Sequence, residues 1–126
     1  MFSHFGEPMN GWTLMLRIAV AVFVGAIIGA EREMKNRPAG MRTHVLVCLG
    51  AAIVALIEQM AIAQAVQLQA VGMINVSLGR ITASVVSGVG FLGAGTIVLS
   101  ERHICGLTTA ASLWCTACIG LAAGAG

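Results

Sequence analysis

The stretch WTLMLRIAVAVFVGAIIGA, residues 12–30, is followed at once by the charged stretch EREMKNRPAGMR, residues 31–42. The first stretch is close to the roughly 20 residues that an α-helix needs to cross the hydrocarbon core of a membrane. The second stretch holds four of the seven Lys and Arg residues and two of the five Asp and Glu residues. Together they predict a membrane span and the point at which the chain leaves the membrane.

The composition indicates an integral membrane protein. The chain has 126 residues, is 58% hydrophobic and only 10% charged, and has a mean hydropathy of +0.93. A soluble domain of this size needs a more polar surface. The formal net charge of +2 is small and no basic stripe with interleaved aromatic residues is present, which argues against nucleic acid as a partner. The first ten residues lack a basic region, so a cleaved signal peptide is not expected.

We predict an all-α, polytopic membrane protein, a bundle of about four transmembrane helices with glycine-rich packing. Helices are favoured because every backbone N–H and C=O must find a partner without water. Residues 64–80 are weakly amphipathic and fit either a lateral helix or a plain connector. The whole chain, residues 1–126, is assigned to one transmembrane domain with no soluble C-terminal domain, and its spans are placed at about 12–30, 43–63, 81–99 and 107–125.

The distribution of Lys and Arg predicts the orientation of the spans. The loop at 31–42 carries four basic residues, and the loop at 100–106 carries Arg102. Because cytoplasmic loops are enriched in Lys and Arg, both loops are expected to be cytoplasmic. Three of the four cysteines lie in apolar segments and are interpreted as small packing residues, including the pair Cys115 and Cys118.

The loop at 31–44 is the first candidate functional segment. With span 1 ending near Ala30, Glu31 lies at a helix C-terminus, where an acid is disfavoured and is expected to pair with Arg42 or Arg102. Pro38 imposes an extended step on Arg37.

Gly40 in the same loop permits a tight turn, and Thr43 is expected to cap span 2. Arg42, Thr43 and His44 would then surround free N–H groups at a helix N-terminus, which is a favourable anion site. A positively charged membrane anchor that also touches lipid phosphates is the alternative.

Span 3 contains the glycine-rich run Ser87 to Thr96. Residues 88–93 match the spacing of a dinucleotide-binding fingerprint, but no strand precedes them and no acid follows at the required distance. The run is therefore interpreted as a helix that other helices can approach closely. Two charged residues fall within or near the bilayer, Arg17 and Glu58, and an Arg17–Glu58 pair is a hypothesis.

Span 4 opens with GLTTAASLW, residues 106–114. Thr108 or Thr109 is a natural N-cap, and Ser112 and Thr116 share one face and can bond backbone carbonyls or a partner helix. No catalytic serine–histidine–acid set, paired catalytic carboxylates or phosphate-binding loop is found, and His103 has no second metal ligand nearby. We expect no enzyme activity, no cofactor and no metal site.

Three blocks of this sequence resemble the motifs of one family. Residues 31–44 resemble ER…RPAGLRTH, residues 87–97 resemble SGIGFLGAGTI, and residues 106–114 match GLTTAASLW. In this order and spacing the blocks resemble the MgtC/SapB family of bacterial inner-membrane proteins. The resemblance covers nearly the whole chain.

The resemblance implies a multi-helix hydrophobic domain, commonly of five spans, often followed by a soluble domain. This chain departs from that pattern in length, and because it stops at Gly126 we expect neither a fifth span nor a soluble domain within it. By motif position, and with the buried Glu58 added, the candidate functional residues are Glu31, Arg32, Arg37, Gly40, Arg42, Thr43, His44, Glu58, Gly93, Gly95, Thr108 and Thr109.

The resemblance also implies a function. The type member is a virulence factor needed for survival in macrophages and growth in low magnesium, and it is held to act on other membrane machinery, including the ATP synthase. We therefore expect a bacterial inner-membrane regulator whose partners are membrane lipids, other inner-membrane proteins and a second copy of the chain. The alternative is a small oligomeric transporter or channel for an ion or small anion, with Arg37, Arg42 and Glu58 along its path.

Overall fold

The computed structural model describes residues 9–69, 77, 79–100 and 103–126 of the chain. Within these residues there are four helices and one short hairpin. The prediction of an all-α polytopic membrane protein with about four helices is confirmed. The elements are α1, Gly11–Met34; α2, Met41–Gln69; α3, Arg80–Thr96; β1, Val98–Ser100; β2, His103–Cys105; and α4, Leu107–Ala125.

Three of the described helices, α1, α2 and α4, are long and apolar enough to cross a membrane. The helix α3 has 17 residues and rises about 26 Å, slightly less than the roughly 30 Å of the hydrocarbon core. The helix α2 has 29 residues and includes residues 64–69, where the sequence predicts a lateral helix or a connector. The rest of that segment, up to Leu78, lies outside the described residues except for Ser77.

The helix α2 is the centre of the bundle, because it packs against both α1 and α4. Its buried face is built from small residues, including Cys48, Ala51, Ala52 and Ala55, which recur every three or four positions. Ala51 and Ala55 pack with α4, and Cys48 and Ala52 pack with Ala21 of α1. With so little side-chain volume between them, the helix backbones lie close together.

Glycines of α1 and α4 make this close approach possible. A Cβ atom on Gly25 of α1 would lie 2.9 Å from the Cα of Val45 in α2, and one on Gly29 would overlap the backbone of Met41. On α4, a Cβ on Gly120 would overlap the carbonyl oxygen of Cys48. The spacing Gly-x-x-x-Gly, at 25 and 29 and again at 120 and 124, marks the faces that meet α2.

The prediction of glycine-rich packing is thus correct, but the glycines of α3 contribute little to it within the described chain. Gly93 is buried against Ala110 of α4, where a Cβ would fit at 3.4 Å from the Ala110 Cβ. Gly88, Gly90 and Gly95 have no described atom within 4 Å of an added Cβ.

The helix α3 ends at Thr96, three residues earlier than predicted. The chain then forms an antiparallel hairpin in which Val98 pairs with Cys105 and Ser100 with His103. After the hairpin, Gly106 adopts φ +93°, a left-handed conformation that favours glycine, and α4 begins at the next residue. The hairpin therefore returns the chain directly from α3 to α4, the helix against which α3 packs.

The substitution Gly120→Val tests the backbone contact between α2 and α4. The new side chain would clash with the Cys48 carbonyl and the Ala51 Cβ, so we expect the free energy of unfolding to fall by about 1–3 kcal/mol. The matched control is Gly90→Val, which changes helix propensity equally but meets no described neighbour. Thermal unfolding of the purified protein in detergent measures both variants, and equal losses of stability would contradict the packing assigned to Gly120.

Candidate functional site

Buried and half-buried polar side chains of the described chain form two groups at opposite ends of the bundle. The first group, called the loop-end cluster, comprises Arg32, His44, Thr109, Ser112 and Thr116. The second, called the far-end cluster, comprises Arg17, Glu58, Gln59 and Thr82. Since unpaired polar groups are costly inside a membrane protein, both clusters are candidates for function.

Arg32 joins three segments at the loop end. Its Nη2 donates to the hydroxyl of Thr109 in the first turn of α4 and to the carbonyl of Pro38, 3.0 Å away. Its Nε is buried and has no hydrogen-bond partner among the described residues. The loop at 31–42 and the start of α4 therefore lie at the same end of the bundle. This agrees with the prediction that the loops at 31–42 and 100–106 lie on the same side of the membrane.

His44 is completely buried and links α2 to α4. Its Nδ1 lies 3.0 Å from the carbonyl oxygen of Gly40, and its Nε2 lies 2.7 Å from the Ser112 hydroxyl. A carbonyl oxygen can only accept, so a neutral imidazole here carries its proton on Nδ1 and accepts from Ser112 at Nε2. Thr116 in turn donates to the Ser112 carbonyl at 2.7 Å. The expectation that Ser112 and Thr116 bond to carbonyls or to a partner helix is confirmed.

The expected anion site at the start of α2 is wrong in its details. The helix begins at Met41, so Thr43 lies inside the first turn and is not a cap. The Met41 N–H donates to Oε2 of Glu33 at 3.2 Å, so the anion at this helix N-terminus is a carboxylate of the protein itself. His44 points into the bundle, and Arg42 is exposed.

The expected pairing of Glu31 with Arg42 is also wrong. Glu31 pairs with Lys35 at 2.7 Å, and both side chains are exposed. The helix α1 continues to Met34, so Lys35, four residues on, comes within reach of Glu31. Arg42 is not its partner, and Arg102 lies outside the described residues. An exposed pair of this kind contributes little to stability.

The turn between α1 and α2 does not rely on Gly40 for a left-handed backbone. The residues with positive φ are Asn36, at +51°, and Ala39, at +57°. A Cβ on Gly40 would instead lie 3.3 Å from Oε2 of Glu33, so the absence of a side chain gives the carboxylate room to reach Met41. Arg37 is exposed beside this turn.

At the start of α4, the expectation that Thr108 or Thr109 caps the helix is wrong. The N-cap residue is Gly106, and within the described chain no side chain caps its helix end. Thr108 is exposed, whereas Thr109 is buried and binds Arg32. Of the two glycines proposed as functional, Gly93 contacts α4 and Gly95 faces open space.

The proposed pair of Arg17 and Glu58 does not form. Arg17 Nη1 donates to Oε1 of Gln59 at 2.7 Å and to the carbonyl of Gly124 at 3.0 Å. Gln59 also donates to the Ala125 carbonyl at 2.6 Å. Consecutive residues on a helix point about 100° apart, so Gln59 faces α1 and α4 while Glu58 faces α3.

Glu58 is 8% exposed and receives two hydrogen bonds from the first turn of α3. The backbone N–H of Ile81 donates to Oε1 at 3.3 Å, and the Thr82 hydroxyl donates to Oε2. The carboxylate also lines a cleft of about 340 Å³ whose other walls are mostly apolar. The sequence pointed to Glu58 by its charge but gave no sign of Gln59 or Thr82 as functional neighbours.

The comparisons with known proteins agree with this architecture. The sequence model of the MgtC family matches residues 18–126. Protein MgtC of Salmonella typhimurium (strain LT2) is 42% identical over 120 residues, which are 95% of this chain and 47% of that protein. A protein of Escherichia coli (strain K12) with the printed name "Putative magnesium transporter YhiD" is 42% identical over 112 residues, 89% of this chain and 51% of that protein. No solved structure matches the chain significantly.

A bundle of apolar helices held together by small residues, with polar clusters at both ends, defines a polytopic membrane protein. The chain belongs to the MgtC family, which confirms the resemblance read from its three motif blocks. It spans about half the length of the curated relatives named above.

The substitution Ser112→Ala tests the loop-end cluster. It removes the donor to His44 Nε2 and leaves the nitrogen of a fully buried side chain without a partner. We therefore expect the free energy of unfolding to fall by about 1–3 kcal/mol. Ser84→Ala is the control, because Ser84 is exposed and donates only to a carbonyl of its own helix. Thermal unfolding in detergent compares the two, and a Ser112 variant as stable as the control would show that the His44 contact contributes nothing.

Proposed function

We propose that the chain is the membrane domain of a bacterial inner-membrane regulator that acts on other membrane complexes during adaptation to low magnesium and intracellular survival. Membership of the MgtC family supports the connection to magnesium, since both MgtC and a relative named for magnesium transport match at 42% identity. The loops at 31–42 and 100–106 face the cytoplasm in this proposal, because they carry most of the positive charge.

The observation that carries the regulatory role is the open face of α3. Exposed aliphatic side chains are expected on a membrane span, since lipid covers them. In α3, however, the glycines Gly88, Gly90 and Gly95 are exposed as well. Glycines on an open face let the backbone of another helix approach, and helix association in membranes depends on this contact. Phe91, 85% exposed, lies on the same helix. A helix of a partner complex, the ATP synthase being the first candidate by family resemblance, would pack there.

The buried interior favours a regulator over a transporter. The buried core of the described chain is apolar apart from the two clusters and includes Ala21, Cys48, Ala51, Ala52, Ala55, Leu113, Ala117 and Leu121. This apolar layer separates the polar groups within one copy of the chain, and a path for ions through that interior would need polar groups or water throughout. Because the YhiD relative is named for magnesium transport, magnesium transport is the second candidate function.

The substitution Gly95→Leu tests the regulatory proposal. Gly95 is on the open part of α3, so the larger side chain should leave the fold intact and block a partner helix, whereas Gly93→Leu would also disturb the contact with Ala110. Crosslinking in native membranes followed by mass spectrometry measures recovered partners. We expect at least a tenfold loss of recovery, equivalent to about 1.4 kcal/mol. Ala19→Leu on the exposed face of α1 is the control.

Unchanged recovery of partners by a stably inserted Gly95→Leu variant would contradict docking at α3. The transporter alternative makes a separate prediction, namely flux of magnesium or another ion into proteoliposomes containing only this protein. Flux that is present in the parent protein and lost in Glu58→Gln or Arg42→Gln would favour transport over regulation. If the parent protein carries no magnesium, potassium, protons or phosphate, the transporter alternative is contradicted.

A further inference from the structure

An apolar groove runs along the outside of the bundle between α2 and α3. Its volume is about 280 Å³, and its wall on α2 extends from Leu46 to Val54, while Val85 and Val89 of α3 form the other wall. The same two valines pack against the core cluster of the bundle, so the groove is closed on that side. It is open on the other side, where Leu46 is 68% exposed. The groove therefore faces the lipid around the protein.

The groove owes its volume to one glycine on each helix. Gly50 of α2 and Gly88 of α3 both line it, and both are exposed. A Cβ atom added to either glycine would have no described atom within 4 Å. These glycines leave a space in the surface of the bundle that the described side chains do not fill.

A positive charge lies at the loop end of this groove. Arg42, Leu46 and Gly50 are four residues apart on α2, so they share one face of the helix. Side chains of a helix lean towards its N-terminus, which directs the guanidinium of Arg42 away from the centre of the bilayer. Arg42 is exposed and forms no ion pair among the described residues. The face of α2 that borders the groove thus carries a cation at one end.

The carboxylates near Arg42 in the described loop have other partners. Glu31 pairs with Lys35 at 2.7 Å, and Glu33 accepts from the Met41 N–H. The charge of Arg42 is therefore not neutralised by the described part of the chain. An anion beside Arg42 would supply the missing opposite charge.

The length of the groove matches one leaflet of the membrane. Along α2 the rise is about 12 Å from Leu46 to Val54 and about 18 Å from Arg42 to Val54. Half of the hydrocarbon core measures about 15 Å. A phospholipid with its phosphate beside Arg42 would therefore reach the middle of the bilayer with an acyl chain in the groove. A free phosphate ion would use only the arginine, whereas a phospholipid uses both parts.

We propose that the groove between α2 and α3 binds one anionic phospholipid. The phosphate pairs with Arg42, and one acyl chain lies along the apolar walls. A zwitterionic headgroup carries a cation of its own and gains less from the arginine, so an anionic headgroup is preferred. The site does not depend on the partner proposed for α3, because Gly90 and Gly95 do not line the groove.

Native mass spectrometry counts the lipid that the purified protein retains. The protein is equilibrated in detergent with equal amounts of phosphatidylglycerol, which is anionic, and phosphatidylcholine, which is zwitterionic, both with the same acyl chains. We expect one retained phospholipid per chain. Phosphatidylglycerol should be preferred about fivefold, equivalent to the roughly 1 kcal/mol that one basic residue contributes near an anionic membrane surface. Equal retention of the two lipids, or no retained lipid, would overturn the proposal.

The substitution Arg42→Gln tests the headgroup contact. The variant should still retain a phospholipid but lose the preference for phosphatidylglycerol. Arg80→Gln is the matched control, because it removes the same charge from an exposed residue at the other end of the bundle and should keep the preference. Equal losses in the two variants would show that the overall charge of the protein, and not this site, selects the lipid.

Two further variants fill the groove itself. Gly50→Leu and Gly88→Leu place a side chain where an added Cβ meets no described atom, so the fold should persist while retention of either lipid falls at least about tenfold. Gly90→Leu makes the same change on α3 outside the groove and is the control. Unchanged retention in a folded Gly50→Leu variant would overturn the proposal, and it is the result expected if a partner helix occupies the groove instead.

A second measurement locates the acyl chain in the unmodified protein. One molar equivalent of a phosphatidylglycerol that carries a diazirine in its acyl chain is added in detergent and activated by light. The adducts, identified by mass spectrometry of peptides, should concentrate in residues 46–54 and 85–89. Adducts found mainly on the exposed face of α1, for example at Val20 and Phe23, would show that the lipid lies elsewhere.

Discussion

The rest of this structure depends on the direct contact of α2 with the glycines of α1 and α4. Lipid chains are as apolar as leucine, so burial of leucine gives little reason for two membrane helices to associate. What remains is close packing, and here it is achieved by Gly25 and Gly29 on one side of α2 and Gly120 and Gly124 on the other. The alanines of α2 complete both contacts. The small size of these residues is therefore what brings three helices together.

That close approach also decides where polar side chains can lie. The middle of the bundle has room only for alanine, cysteine and an occasional leucine, so the hydrogen-bonding side chains lie at the two ends of the bundle. At the loop end, Arg32 and His44 each reach a hydroxyl of α4. At the far end, Arg17 and Glu58 each use neutral partners rather than one another. The far-end cluster also bonds to backbone groups at the end of α4 and the beginning of α3 that would otherwise lack partners within their helices.

Several features could be predicted from the sequence because they depend on composition and local pattern. The apolar lengths located the helices, and the start and end of α4 were right to the residue. The pairing of Ser112 and Thr116 with carbonyls or a neighbouring helix followed from their spacing. The importance of small residues was also correct, although the Gly-x-x-x-Gly spacings at 25 and 29 and at 120 and 124 carried the signal more clearly than the run in α3.

The partners of the charged side chains could not be predicted, because they depend on helix ends and rotation. The helix α1 extends four residues beyond its predicted end at Ala30, and this brings Lys35 beside Glu31. The helix α2 begins at Met41, two residues earlier than predicted, so the free N–H of Met41 donates to Glu33. Glu58 and Gln59 point about 100° apart around the helix axis, so Glu58 contacts α3 and Gln59 contacts Arg17. The sequence by itself determined a membrane-embedded helical bundle of the MgtC family, since hydropathy and motif spacing are properties of the chain. Only the tertiary structure decided which buried polar groups meet, because that depends on how closely, and in which rotation, the small residues let the helices pack.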